Sequence, residues 1–181
     1  MRVRSSLITY SSLFMHKLPP AEEAKALFHV AKEWSVWHWL TDKKRVRAAA
    51  DRANEALDAL DLKIKASWSD PLKAAYRELE AEEAFENDPQ AKADFAQAQQ
   101  AAKDVDAAVK EAARRLREAD NEAYNARMDA EDIFDEAERR LSSSLARKGA
   151  KRAIESWELK ETAIRLSEAA GKSYSSAKTA S

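Results

Sequence analysis

The sequence predicts an all-α protein, an elongated antiparallel coiled-coil hairpin carrying a small Trp-rich helical head. Three observations lead there. Only two Gly and four Pro occur in 181 residues, too few turn formers for the loops of an ordinary globular domain. Charged residues make up 35% of the chain and alanine is abundant, the composition of long helices. Apolar residues also recur at alternating steps of three and four over long stretches, which is the signature of a helix seam.

Residues 1–19 read as an irregular N-terminal segment. Arg2 and Arg4 precede the short apolar runs Leu7-Ile8 and Leu13-Phe14-Met15. A secretory signal has a longer apolar region and a small-residue cleavage site, so export is the minor reading and a cytoplasmic location the main one. Met15 is an alternative start to Met1. No stretch approaches the ~20 apolar residues of a membrane-spanning helix. Pro19-Pro20 followed by Ala21-Glu22-Glu23 opens a helix, because proline suits the first turn and acidic side chains favour the positive end of the helix dipole. This Trp-rich head helix covers 20–41. Thr41 and Asp42 are capping types and leave open whether 20–40 and 42–68 are continuous.

Ser69-Asp70-Pro71 and Asn87-Asp88-Pro89 each place a capping residue beside a proline, the mark of a new helix. The stalk is therefore placed over 42–148, turning near 87–88. Pro89 to Lys148 contains no further Gly or Pro, which predicts a rod of roughly 90 Å at the α-helical rise. Gly149 is the expected bend. A C-terminal head helix follows over 149–171, stopped by Gly171. Residues 172–181, rich in Ser, Ala and Lys, read as a disordered tail.

Counting by alternate threes and fours from Phe95 gives Ala98, Ala102, Val105, Val109, Ala112, Leu116, Ala119, Ala123, Ala126, Ala130, Ile133 and Ala137, all apolar. A sustained 3.5-residue period keeps one face toward a partner helix. The same spacing runs through Val46, Ala50, Ala53, Leu57, Leu60, Ile64 and Ser67. In a hairpin turning at 87–88, partner numbers sum to about 175. Residues 43–52 hold five basic side chains and one acid, and they would face about 123–132, inside the block 118–138 with its nine acids and Arg127. Complementary flanking charge of this kind sets helix orientation.

Catalytic signatures are missing from the sequence. Absence of Cys removes thiolate chemistry and disulfides. Two isolated glycines cannot form a phosphate loop, and His16, His29 and His38 lack the spacing of a helical metal pair. Ser175-Ser176-Ala177-Lys178 has a Ser-x-x-Lys spacing but falls in the tail, where no rigid site excludes water. No catalytic residue, cofactor or metal ligand is assigned.

Two surfaces stand out as docking candidates. Trp34, Trp37 and Trp39, with Trp157 folded back onto them, form either a head core or a docking face of the kind tryptophan favours. Arg139, Arg140, Arg147, Lys148, Lys151 and Arg152 form a run without an acid, suited either to pairing with acids elsewhere or to an anionic membrane. Lys43-Lys44-Arg45 ahead of a heptad resembles a DNA-binding basic region only superficially, and a net charge of −1 disfavours nucleic acid. The expected function is thus a non-enzymatic structural or scaffolding protein that self-associates or binds another helical protein. The alternative is a peripheral membrane binder using the Trp-rich and basic segments.

Overall fold

The structure, a computed structural model, describes residues 36–179, with side chains described for 43–171. Expectations for residues 1–35 therefore lie outside the described residues, as do those for the side chains of Trp37, His38 and Trp39.

Five α-helices account for the described chain, and no strand occurs among the described residues: α1 (Val36–Ala66), α2 (Asp70–Asn87), α3 (Lys92–Ala101), α4 (Ala107–Arg139) and α5 (Ser143–Thr179), with a single 3₁₀ turn at Pro89–Ala91. Direction alternates from each helix to the next. Arg47 pairs with Asp135 and Lys65 with Asp120, so α1 lies antiparallel to α4. Arg152 with Asp129 and Lys160 with Asp120 set α5 antiparallel to α4. Pro71 lies beside Val105 and Val109, whereas Glu83 bonds to Arg117 and Asn121, so α2 runs parallel to α4. α3 returns along α2, with the rings of Phe85 and Phe95 stacked 5.6 Å apart.

Two apolar clusters hold the bundle together. The larger joins Val46, Ala49, Ala53 and Leu57 of α1 to Ala130, Phe134 and Ala137 of α4 and to Ala146, Ala150, Ala153, Ile154, Trp157 and Ile164 of α5. The second packs Trp68, Leu72, Ala75 and Tyr76 against Val109, Ala113 and Leu116. The basic start of α1 meets the acids of α4 through Lys43–Glu138 and Arg47–Asp135. Its partner numbers sum to 181–185 rather than 175, a shift of about two turns.

The architecture departs from a simple hairpin in several places. The expected 89–148 rod is broken at 102–106 and again at 140–142. The first break is made without Gly or Pro, Asp106 capping α4 by accepting from the Ala108 N–H at 2.8 Å; ahead of Pro89, Asp88 likewise accepts from the Gln90 N–H at 3.0 Å. Such side chains offer the backbone an alternative to the helical ladder. The chain reverses at 87–88, but there it only joins α2 to α3; α1 has already reversed at 67–69. The boundaries expected at 41/42 and 148/149 fall inside α1 and α5, and α5 continues through Gly171 to Thr179, so most of the expected tail is helical backbone.

The apolar stripe beyond Pro89 does face inward, since each of its positions is buried or half-buried. It is not one seam, however. Phe95 stacks on α2, and Val105 lies in the turn before α4. On α4 the buried residues Val109, Leu116, Ala123, Ala130 and Ala137 keep a strict seven-residue spacing. On α1 the stripe drifts instead: Leu60 and Ser67 are exposed, whereas Asp61 and Trp68 are buried.

Gly149 lies in mid-helix because α5 approaches α4 closely there. A Cβ at this position would sit 2.9 Å from Cδ1 and 3.0 Å from Cε1 of Phe134. Alanine gains about 1 kcal/mol in helix propensity, but the clash with an enclosed ring costs about 1–3 kcal/mol. Gly149→Ala is expected to lower the melting temperature; a higher one would mean that Phe134 moves aside freely.

Candidate functional site

The densest chemistry in the described chain is an interior ring of charges where four helices meet. Asp61 and Lys65, one turn apart on α1, point toward α4 and α5. Lys65 Nζ donates to Asp120 Oδ2 at 2.5 Å and to the Tyr76 hydroxyl at 3.2 Å, and lies 3.0 Å from Asp61 Oδ2. Lys160 Nζ of α5 donates to Asp61 Oδ2 at 2.8 Å and to Asp120 Oδ1 at 3.2 Å. Tyr76 of α2 donates its hydroxyl to Asp120 Oδ2 at 2.5 Å. Two carboxylates and two ammoniums thus alternate and cancel.

Around this ring, Lys65 Nζ lies 4.8 Å from the Tyr76 ring centre and the Arg117 guanidinium 5.6 Å from it. Arg117 also bonds Glu83 and Glu80. Trp68 packs edge-on against Tyr76 and donates its indole N–H to buried Ser167 Oγ at 2.7 Å.

The electrostatics follow from this geometry. Burial would raise the Asp120 carboxyl, but hydrogen bonds from Lys65 and Tyr76 and the charges of Lys160 and Lys65 outweigh it and hold the carboxyl below its ordinary value. Burial would lower the Lys65 ammonium, yet the Asp120 bond and the fields of Tyr76, Asp120 and Asp61 raise it well above the ordinary lysine value. Burial pushes the Tyr76 hydroxyl up, and its bond to Asp120 adds to that. All these groups keep the charge they carry at neutral pH. For Asp120 and Lys65 the shifts thus favour the charged, paired state that their hydrogen bonds require. The cavity beside Asp120 and Lys160 measures about 80 Å³, small for a substrate site.

A larger groove of about 310 Å³ runs between α1 and α4 over α5. Val46, Ala50, Phe134 and Trp157 contribute apolar lining, and Arg47 and Arg127 contribute cations. Both arginines are engaged across it, Arg47 with Asp135 and Arg127 with Asp58.

The expected docking residues divide. Trp157 is 2% exposed and donates its indole N–H to Asn54 Oδ1 at 2.9 Å, so it is a core residue with no face for a partner. Along the backbone, positions 37 and 39 lie 15–17 residues before Asn54 on continuous α1, about 25 Å at the helical rise. Trp34 lies outside the described residues. Arg139, Arg140, Arg147, Lys148 and Lys151 are exposed and Arg152 is half-buried. Arg140 pairs with Glu136, and Arg152 with Asp129 and Glu155. Lys148 and Lys151 line a groove with Asp129, Asp132 and Glu155. Seam residues Val109 and Leu116 are buried, and Ile133 is half-buried at the edge of that groove.

Asp61, Lys65, Asp120 and Lys160 went unnoticed in the sequence. The signal available was a charged residue inside an apolar stripe: Asp61 between Leu57 and Ile64, and Lys160 between Trp157 and Ile164.

Fold and site together define an all-helical bundle locked by interior ion pairs. No protein-family model, curated protein or solved structure matches the chain. Among the described residues, no helix is long and apolar enough to cross a membrane, and no group of three His or acidic residues converges to hold a metal ion.

Proposed function

We propose that the chain is a non-enzymatic structural or scaffolding protein acting through helix–helix association, with α4 and α5 paired as an antiparallel coiled coil. One observation carries the reading: the seven-residue buried spacing from Val109 to Ala137 on α4, whose Ala130 and Ala137 pack with Ala146, Ala150 and Ala153 of α5. Small residues let the axes approach closely, and the same seven-residue spacing turns Val109 and Leu116 toward Leu72, Ala75 and Tyr76 of α2 nearer the start of α4. The interior charges are already satisfied by one another, which leaves the outer helix faces to do the binding. Leu60 and Leu62 of α1, Tyr124 and Met128 of α4 and Leu166 of α5 remain exposed, an apolar supply for a second copy or another helical protein.

Light scattering combined with small-angle X-ray scattering tests this. The expected result is an elongated particle with a mass of more than one chain. A compact monomer at every concentration would overturn the self-associating form of the proposal. The alternative, a membrane-facing surface built of Trp and basic segments, loses Trp157 to the core; Trp34 and the side chains of Trp37 and Trp39 lie outside the described residues.

A further inference from the structure

The turn joining α4 to α5 combines three features that packing alone does not require. First, Leu141 has φ 48°, the left-handed conformation. The Ser142 N–H donates to Ala137 O at 2.9 Å and the Leu141 N–H to Glu138 O at 3.4 Å. This is the six-to-one and five-to-two closure that glycine usually completes, because a Cβ is strained there. Second, the leucine placed at this strained position is 56% exposed. Local strain kept without a packing return is the pattern of a functional position.

Third, the fold gathers charge at this end. Lys43–Glu138 and Arg47–Asp135 bring the start of α1 beside the turn, so basic blocks nearly a hundred residues apart in sequence meet. Residues 43–47 and 135–152 together hold ten Lys and Arg against Asp135, Glu136 and Glu138; with Asp129, Asp132 and Glu155, which lie against Lys148, Lys151 and Arg152, the local charge is +4 in a chain of net −1. Arg139 and Arg140 keep 74% and 71% of their side-chain surface in solvent.

We propose that the α4–α5 turn is a docking tip for an anionic lipid surface. Leu141 enters the boundary between headgroups and acyl chains, and Arg139, Arg140, Arg147 and Lys148 around it meet the lipid charges. The exposed leucine at the apex of the turn favours lipid over nucleic acid, whose phosphates offer nothing for it. The proposal stands independently of helix–helix association.

The test is sedimentation of the full chain with vesicles. Binding is expected to phosphatidylcholine vesicles containing phosphatidylserine, to be released by high salt, and to be lost on pure phosphatidylcholine. Leu141→Gly is expected to melt at least as high as the parent, because the turn is relieved, yet to bind several-fold more weakly. A purely structural leucine would not separate the two readouts. Arg139→Glu combined with Arg147→Glu is expected to abolish binding. No sedimentation with phosphatidylserine overturns the proposal, as does binding indifferent to these substitutions. Retention on a DNA duplex that needs the arginines but not Leu141 would assign the tip to a polyanion and overturn it equally.

Discussion

Asp120→Ala is expected to destabilise the fold by about 3 kcal/mol, the low end for removing one partner from a buried ion pair, because the ring is only partly enclosed. Asp120 accepts from Lys65, Tyr76 and Lys160, so its loss leaves two ammoniums sharing Asp61 and a buried hydroxyl without its acceptor. Those donors come from α1, α2 and α5, and the substitution therefore loosens three helices from α4 at once. Chemical denaturation of parent and variant gives the difference directly. A change under about 1 kcal/mol, the usual worth of exposed ion pairs, would mean that water already screens the ring.

The same substitution should reshape the pH dependence. The Asp120 carboxyl lies below its ordinary value in the folded chain, so its contribution is present above about pH 4, the unfolded value, and is lost as pH falls through the folded one. The Lys65 ammonium is raised, so its contribution is full below about pH 10 and is lost as pH climbs through the folded value. Between these limits the ring contributes fully. Relative to the parent, Asp120→Ala should lose less stability on acidification.

How far the sequence reached depends on which force specified each feature. The all-helical class and the inward-facing stripe of α4 were legible because alanine content and periodicity report helix and burial directly. The ion pairs of Lys43 and Arg47 with α4 were visible as opposite blocks of charge. Topology was hidden by a coincidence: Ala98, Ala102, Val105 and Val109 keep the half-heptad count straight across the turn at 102–106, where only Asp104 and Asp106 hint at a reversal. Proline and glycine mark breaks plainly; an aspartate marks one only when its side chain caps, and the same residue on a helix face is ordinary. Gly149 misled in the other direction, since a glycine demanded by close packing against Phe134 looks identical in sequence to one that ends a helix. The ring escaped because four charges from three separate helices acquire meaning only once the helices are packed together.

Trp157→Ala is the second large effect, about 3–5 kcal/mol from the emptied volume alone. Trp157 belongs to the cluster shared by α1, α4 and α5, so the emptied volume is walled by three helices that would all have to shift to fill it. Removing the indole also strips Asn54 of its donor. In a chain of this size 1 kcal/mol shifts the melting temperature by about 2–4 °C, so a fall of roughly 10 °C or more is expected in a calorimetric scan. Trp157→Phe separates the two contributions: most of the ring volume returns, the bond to Asn54 does not, and the residual loss should be about 1–3 kcal/mol. If Trp157→Ala melts like the parent, Trp157 is not the interior post of the bundle, and the packing of α1 onto α5 described above fails with it.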